Sequence, residues 1–319
     1  MIEALVVGRV GVDFTPTLPR TTLAEAESFS RAVGGFAGNV ATGLARLGIR
    51  VAVISAVGDD GHGVHVRGFL AGEGIDVSHV MTRPARTQVA FFEVWPPDRF
   101  PVTFYRSAPA PETQLTVADL PTALLAEAPL AILSGALFAE APARSTAFAI
   151  LEDRQATRAG RSVSLTVLDL DWRPTLWNDP AQAPALMARA AALSDVVVGS
   201  DEEFRATRLP TMAGAVGAPD MIVLKHGPGG VSLVTERRRR SVPGIAVEVL
   251  CGIGAGDALT AAFAAAVVSG IDPLVAVERG NAAGAIVASR LMCSTAMPTP
   301  DEIDRQLAST SIEAQGARP

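Results

Sequence analysis

The chain has 319 residues and a formal net charge of −6 at pH 7. Its mean hydropathy is +0.31, but no uncharged run exceeds 14 residues, whereas a membrane-spanning helix needs roughly 20. Two cysteines can build neither a disulfide framework nor a four-cysteine zinc site. An acidic balance with 5% aromatic residues argues against nucleic acid as the main ligand. These features predict a cytoplasmic protein of enzyme size, with neither a nucleic acid nor a membrane as partner.

Apolar runs rich in β-branched residues alternate with segments of helical periodicity along most of the chain. The predicted strands are, in chain order, 4–9, 51–57, 131–134, 163–168, 196–199 and 221–224. The predicted helices are 39–47, 61–72 and the segments around 143–159, 182–193 and 201–208. Continuous apolar strands separated by helices indicate an α/β fold with a mostly parallel sheet covered on both faces.

Two segments interrupt this alternation. Residues 14–31 form a polar stretch directly after the first strand, and residues 87–105 alternate like a hairpin whose turn is 95–98. We therefore predict a single domain over 1–310 with a small β lid built from segments near 14–33 and 87–106, and a disordered tail at 311–319. Exposed apolar strands in such a lid favour a homodimer that buries them.

The basic residues are almost all arginine. Of the 27 basic residues only Lys225 is lysine, so a compact ammonium at that position is either a functional requirement or chance. Four consecutive arginines, 237–240, lie between two short apolar segments. This run is predicted to be a solvated hairpin tip rather than a nucleic-acid site.

The sharpest local feature is Gly254-Ala255-Gly256-Asp257, which precedes a strongly helix-forming run that starts at Ala258. Free backbone N–H groups at the start of a helix can hold an anion such as a phosphoryl group. Asp257 in the first turn is placed to accept a proton from an attacking hydroxyl. The same residues are equally compatible with a glycine-rich helix entry that Asp257 merely caps. The sequence contains neither a phosphate-binding P-loop motif nor a dinucleotide fingerprint.

A second feature is Gly34-Gly35 followed by Asn39, where glycines let a ligand approach the backbone and an amide can bind hydroxyls. In this order the two features resemble the two signatures of the ribokinase-like (PfkB) sugar kinase family. The matching positions are Gly34, Gly35, Ala37, Asn39, Ala41, Gly48 and Gly58 in the first signature and Gly254 through Ala264 in the second. The resemblance covers essentially the whole chain. It implies a three-layer ribokinase-like α/β sandwich with a small β lid, and phosphoryl transfer from ATP with Mg²⁺.

The resemblance also implies roles for particular residues. Asp257 would be the general base, and the backbone of Gly254, Ala255 and Gly256 would be the anion hole. The sugar hydroxyls would be held by Asp13, Gly34, Gly35 and Asn39. The nucleotide would be bound by Ser200, Glu203, Lys225, Gly227, Gly230 and Asn281, with Glu203 acting on Mg²⁺ through water. Ser200 stands where the family has Asn, and Cys251-Gly252 replaces the usual Asp-Thr pair, so potassium dependence is left open.

The substrate class is predicted from arginines and from further similarity. The segments 168–174, 194–199 and 224–227 are most similar to family members that phosphorylate a sugar acid. A carboxylate needs a partner such as the planar guanidinium group of arginine, and Arg106 and Arg173 follow predicted strands. Each of the two could instead form a surface ion pair. The alternatives are a 2-keto-3-deoxygluconate kinase, a fructokinase, and a non-catalytic sugar-binding protein, which would be expected to lose Asp257 or an anion-hole glycine.

Overall fold

The apolar runs form one nine-stranded sheet in the computed structural model, which describes residues 1–160, 164–214 and 218–316. Seven adjacent strands are parallel, and two at one side are antiparallel. In spatial order they are β13 (Arg239–Pro243), β12 (Gly230–Thr235), β11 (Met221–Lys225), β10 (Val196–Ser200), β9 (Leu165–Asp169), β8 (Leu130–Ser134), β1 (Ala4–Val7), β4 (Val51–Gly58) and β5 (Val80–Arg83). All six predicted strands are present. The first residue of the strand predicted at 163–168, Val163, lies outside the described residues.

Helices cover both faces of this sheet. They are α1 (Phe36–Arg46), α2 (Gly61–Gly72), α3 (Thr122–Glu127), α4 (Ala143–Thr157), α5 (Ala183–Ala192), α6 (Asp201–Thr207), α7 (Ala255–Val268), α8 (Pro273–Ala288) and α9 (Pro300–Gly316). Along β1, Ala4 and Val6 pack in the cluster that contains α1, α2, α7 and α8, while Leu5 and Val7 pack in the cluster with α3, α4 and α5. Because both faces of the strands are buried, their sequences are continuously apolar rather than alternating.

A second, four-stranded sheet stands at one end of the large one. Its order is β3 (Phe29–Gly34), β2 (Gly11–Pro16), β6 (Val89–Phe92) and β7 (Val102–Tyr105). β2 pairs with β6 in parallel, and the other two pairs are antiparallel. The polar segment 14–31 thus supplies the end of β2 and the start of β3. The α/β sandwich with a mostly parallel sheet and a small β lid agrees with the predicted fold class.

The arginine run lies in a hairpin at one side of the large sheet, and the C-terminal segment is largely helical. The antiparallel strands β12 and β13 form a hairpin whose turn, 236–238, contains Arg237 and Arg238, as predicted for a solvated tip. Helix α9 continues to Gly316, so part of the predicted tail 311–319 is helical, and 317–319 lie outside the described residues. Within the part of the chain that the structure describes, no helix is both long and apolar enough to cross a membrane.

The topology directs several polar residues to one place. Parallel strands end at the same edge of a sheet, and ligands of open α/β sheets bind beyond that edge. Arg9 follows β1, Asp171 follows β9, and Lys225 ends β11. The small sheet begins at Gly11, directly after β1, and therefore stands over the same edge.

Candidate active site

A cavity of about 690 Å³ lies at the carboxyl edge of the large sheet, between the small sheet and the start of α7. This volume is typical of a small-molecule site. The predicted site residues that line it are Asp13, Gly35, Asn39, Arg173, Ser200, Glu203, Lys225, Gly227, Gly254, Ala255, Gly256 and Asp257. The small sheet contributes apolar side chains to the wall, among them Phe92 and Phe104. The structure therefore brings twelve of the sixteen candidates to one cavity.

Helix α7 begins at the cavity in a way that only glycine allows. Gly254, the N-cap residue, has φ +83°, a left-handed conformation that L side chains rarely adopt. A Cβ atom on Gly254 would lie 3.0 Å from Cβ of Cys293. Among the described residues no side chain caps this helix end. The N–H of Ala255 donates to the backbone oxygen of Gly252 at 3.4 Å, and among the described residues those of Gly256 and Asp257 are left for a ligand that carries negative charge.

Asp257, in the first turn of α7, faces Asn39 of α1. Nδ2 of Asn39 donates a hydrogen bond of 2.7 Å to Oδ2 of Asp257. Burial, followed by the nearby charge of Asp171, raises the pKa of Asp257 to about 7. A carboxylate with that pKa is a far better proton acceptor near neutral pH than an ordinary aspartate.

Asp13 of β2 forms the other carboxylate wall of the cavity. A Cβ atom on Gly34 would lie 1.8 Å from Oδ2 of Asp13, so the carboxylate occupies the space that a side chain at position 34 would fill. Gly35, with φ +79°, is the N-cap of α1. Burial raises the pKa of Asp13 to about 7, although the charge of Arg9 opposes the shift. The di-glycine thus makes room for a buried acid beside the backbone.

Lys225 connects the strand ends to α7. Its Nζ lies 3.2 Å from Oδ2 of Asp169, and the hydroxyl of Thr260 in α7 donates to the same oxygen at 2.6 Å. A Cβ atom on Gly256 would lie 3.3 Å from Nζ of Lys225, so the ammonium sits directly against the first turn of α7. Although burial opposes it, the charges of Asp169 and Glu203 raise the pKa of Lys225. The side chain is therefore a fixed cation at the N-terminal end of α7.

Glu203 is held by a capping box at the start of α6. Its Oε2 accepts from the backbone N–H of Ser200 at 2.7 Å, while the Ser200 hydroxyl accepts from the backbone of Glu203. Its Oε1 accepts from the backbone N–H of Trp172 at 2.9 Å. Against the effect of burial, Lys225 lowers the pKa of Glu203. Ser200 therefore orients an ionised carboxylate at the cavity wall.

Two arginines share one aspartate beside this carboxylate. Nη2 of Arg9 lies 3.0 Å from Oδ2 of Asp171, and Nη2 of Arg173 lies 3.4 Å from Oδ1. The Ser134 hydroxyl donates to Asp171 as well, at 2.7 Å. Against the effect of burial, Arg9 and Arg173 lower the pKa of Asp171. One end of the cavity thus presents two guanidinium groups against one carboxylate.

Four predicted site residues do not line the cavity. Arg106 is in an ion pair with Glu112, at 2.7 Å. Asn281 donates to the backbone oxygen of Pro243 at 2.9 Å, and Gly230, with φ +99°, approaches the same segment. Gly34 lies behind Asp13, whose carboxylate fills the space that a side chain at position 34 would need.

Five charged or amide side chains at the cavity were not among the predicted site residues. They are Arg9, Gln88, Asp169, Asp171 and Glu202, none of which belongs to either signature. The available signal was position, because Asp169 and Asp171 directly follow a buried apolar strand and Arg9 follows another. Gln88 gave no such signal, since it precedes a short strand of the small sheet.

The residues at the cavity fit a magnesium ion that is shared with phosphates rather than one held by protein alone. Within the described ranges, no three His, Cys, Asp or Glu side chains are grouped so that they could hold a metal ion. Mg²⁺ commonly keeps several waters and takes one or two carboxylates plus substrate phosphates. Glu203 and the neighbouring Glu202, both at the cavity, supply this chemistry.

The sequence matches the profile of the pfkB family carbohydrate kinases over residues 1–300. A match over this share of the chain means that the protein belongs to the pfkB family of carbohydrate kinases. The site agrees with that class, since it joins an uncapped helix start, a lysine and an aspartate of raised pKa in one cavity.

The chain is also similar to individual proteins, among curated sequences and among solved structures. The chain is 30% identical, over 95% of its own length and 91% of the relative's, to the 5-dehydro-2-deoxygluconokinase of Clostridium tetani. Among solved structures it is similar to a PfkB protein from Polaromonas, with 27% identity, a TM-score of 0.79 and coverage of 92% and 98% of the two chains. An uncharacterised sugar kinase from Pyrococcus horikoshii, solved in complex with ATP, shares the fold with a TM-score of 0.80 at 22% identity, over 95% and 99% of the chains.

Proposed function

We propose that the protein transfers the γ-phosphoryl group of ATP to the primary hydroxyl of 5-dehydro-2-deoxygluconate and forms the 6-phosphate. The observation that carries the proposal is Asp257, a carboxylate of raised pKa one residue behind the glycine-rich start of α7. The names of the curated relatives support the choice of sugar acid.

Asp257 and the start of α7 divide the chemistry between them. The substrate hydroxyl attacks the γ-phosphorus, and its proton passes to the carboxylate of Asp257 as the new P–O bond forms and the bond to ADP breaks. The N–H groups of Gly254, Ala255 and Gly256 would stabilise the negative charge on the transferring group. Asn39 holds Asp257 in position by its hydrogen bond. Positioning and charge neutralisation therefore account for most of the rate.

The nucleotide would lie along Lys225, Gly227 and α6. Lys225 supplies a fixed positive charge for the phosphates, and Ser200 orients Glu203 toward the cavity. Mg²⁺, when bound to the phosphates, would neutralise their charge, with Glu203 acting on it through water. The adenosine part would extend toward Pro243, where Asn281 and Gly230 meet.

The acid end of the sugar would lie at Asp171. Arg173 lines the cavity there and carries a guanidinium group that can pair with a carboxylate. The hydroxyls would be held at the opposite end by Asp13, Gly35 and Asn39. Arg106, which was the second arginine proposed for the carboxylate, would first have to leave Glu112.

The test is a panel of sugars with MgATP in a coupled assay of ADP release. We expect kcat/KM to be highest for 5-dehydro-2-deoxygluconate, lower for 2-keto-3-deoxygluconate, and lowest for fructose, which has no carboxylate. Activity that is highest with fructose would contradict the assignment of a sugar acid. ATP binding without turnover of any sugar in the panel would favour a non-catalytic protein.

The proposal extends to assembly and location. The outer face of the small sheet carries an aromatic cluster of Phe14, Phe29, Phe91 and Tyr105, with Phe14 and Phe91 stacked at 5.0 Å between ring centroids. Tyr105 is 59% exposed. A second copy of the chain would cover this face in a homodimer. The enzyme would act in the cytoplasm, where ATP is supplied.

A further inference from the structure

Three buried polar atoms at the cavity have no hydrogen-bond partner among the described residues. They are Nε of Arg9, Oε1 of Gln88 and Oδ1 of Asn39. The three residues are 5%, 3% and 4% exposed. A buried polar atom without a partner destabilises the folded protein, so each such atom calls for a ligand or another cause. The side chains that carry this donor and these two acceptors all line the same cavity.

The side chain of Arg9 is held in place by its neighbours. Its Nη2 donates to both oxygens of Asp171, at 3.0 and 3.3 Å, and the guanidinium group lies 5.8 Å from the ring centroid of Phe104 in the small sheet. Because these contacts occupy Nη2 and one face of the group, Nε remains as a preorganised donor. Preorganised donors lose little entropy when they bind a ligand.

The position of Gln88 is also fixed. Its backbone oxygen accepts from the N–H of Val12 in β2 at 3.0 Å. A Cβ atom on Gly11 would lie 2.7 Å from that oxygen, so the backbone of residue 88 is packed tightly against β2. With the backbone fixed, the side-chain oxygen Oε1, which has no partner among the described residues, can accept a hydrogen bond from a hydroxyl. It would repel a carboxylate.

The chemistry of the guanidinium groups indicates what Arg9 would bind. Arg9 and Arg173 both contact Asp171, and Arg173 also lies 4.0 Å from Oε1 of Glu203. An entering carboxylate would pair with the donor of Arg9 that these carboxylates leave unused, whereas a neutral sugar would bring no charge to it. A charge-assisted hydrogen bond in a buried site is stronger than one between neutral groups.

We propose that Arg9 determines the preference for a sugar acid, with its Nε donating to the carboxylate of the substrate while Oε1 of Gln88 accepts from a hydroxyl of the same molecule. This inference rests on the proposed function and adds to it two residues that lie outside the family signatures. Arg9 then complements Arg173, and the two arginines bind the carboxylate from either side of Asp171.

The test compares an acid with a neutral substrate of the same shape. The probes are 5-dehydro-2-deoxygluconate and its C1 carboxamide, and the readout is the ratio of their kcat/KM values. For Arg9→Gln we expect this ratio to fall about 10- to 100-fold. Gln88→Leu is expected to lower both kcat/KM values together and leave the ratio unchanged. The matched control is Arg83→Gln, which removes an arginine from an ion pair with Asp119 outside the cavity.

Two further variants separate binding from folding. Arg9→Lys keeps the charge beside Asp171 but has no nitrogen at the Nε position, so the ratio is again expected to fall. In the double variant Arg9→Gln/Asp171→Asn the aspartate charge is removed together with its partner, so the fold is retained even if the single variant unfolds. An unchanged ratio in Arg9→Lys and in the double variant would overturn the inference. A wild-type enzyme that does not discriminate between acid and amide would instead overturn the proposed substrate.

Discussion

The burial that makes Asp257 a good proton acceptor also destabilises the folded protein when the carboxyl group is ionised. Its carboxylate is buried near Asp171 and Asp169, which are both acidic, while the hydrogen bond from Asn39 and the charge of Lys225 favour its ionised form. The result is a pKa of about 7 instead of 3.8. The same environment that makes ionisation unfavourable makes the carboxylate ready to take up a proton.

We expect Asp257→Asn to lower kcat about 10²- to 10⁴-fold, because the amide cannot accept the hydroxyl proton. Single-turnover kinetics and calorimetric titration with MgATP would measure the loss and show that nucleotide binding is retained. At pH 8 the variant is expected to be at least as stable as the wild type, because ionising a buried acid of raised pKa destabilises the folded state as pH rises from 3.8 toward 7.

The role of Asp257 as the base can also be tested in the pH profile of the wild-type enzyme. Because the base must be deprotonated, the kcat/KM of the wild type is expected to fall as pH drops below about 7. Asp13 titrates in the same range, so the acid limb should be steeper than for one group, and Asp13→Asn should reduce its slope. A profile that stays flat from pH 5.5 to 8 would exclude Asp257 as the base.

At the scale of elements, the start of α7 depends on one backbone conformation. Gly254 combines a left-handed φ with a position 3.0 Å from Cβ of Cys293, measured from where its own Cβ would be. The loop that leads into the helix can therefore take its path only with glycine at this point. Lys225 and Thr260 then tie the first turns of α7 to Asp169.

For Gly254→Ala we expect a loss of about 1–2 kcal/mol in the free energy of unfolding, since an L side chain is strained at this φ. We also expect kcat/KM to fall, by more than the loss of stability alone would cause, because the N–H groups at the start of α7 would move relative to the phosphates. Chemical denaturation and the coupled assay measure the two effects. Gly72→Ala, at the end of α2 with open space around it, is the matched control. Equal activity of the two variants would refute the role of the helix start.

The elements themselves are largely predictable. Burial on both faces forces continuous apolar runs in β1, β4, β8, β10 and β11, so their bounds are close to those predicted. Helix α1 begins at Phe36, three residues before its predicted start at 39, because the helical turn follows directly on the glycine at position 35. The polar segment 14–31 was assigned to the lid without strand bounds, since most of it lies between the end of β2 at Pro16 and the start of β3 at Phe29, and the first three residues of β3 are half-buried or exposed.

The site is predictable where a backbone requirement leaves a mark in the sequence. Gly34, Gly35 and Gly254 are such marks, since each needs the space or the φ of glycine. Side-chain pairings leave no mark of this kind. Arg106 follows a lid strand as expected but is engaged by Glu112, and Arg9 reaches the cavity only because of how β1 and β9 are aligned.

At the scale of the whole molecule, the small sheet has two different faces. Phe92 and Phe104 line the cavity, while Phe91 and Tyr105 alternate with them and point to the opposite side. One sheet therefore closes the site and also presents an exposed aromatic surface. If a second copy covers that surface, closure of the site and assembly involve the same strands.

We expect the purified protein to be a dimer by size-exclusion chromatography with light scattering. Tyr105→Asp should weaken association by about 2 kcal/mol or more, because it places a charge on the exposed side of the aromatic cluster. Val117→Asp changes a side chain that is 54% exposed but lies outside the small sheet, and should leave the mass unchanged. A monomeric wild type would refute the proposed assembly.

The arginine-rich hairpin has a consequence for solubility. β13 is an outer strand of the large sheet, so one side of its backbone is open to pairing with another chain. Arg239 and Arg240 lie on that strand, and Arg240 is partnered by Glu278 of α8. Charged side chains on an open edge prevent intermolecular β-pairing. We therefore expect the arginines of β13 to disfavour edge-to-edge association of the large sheet.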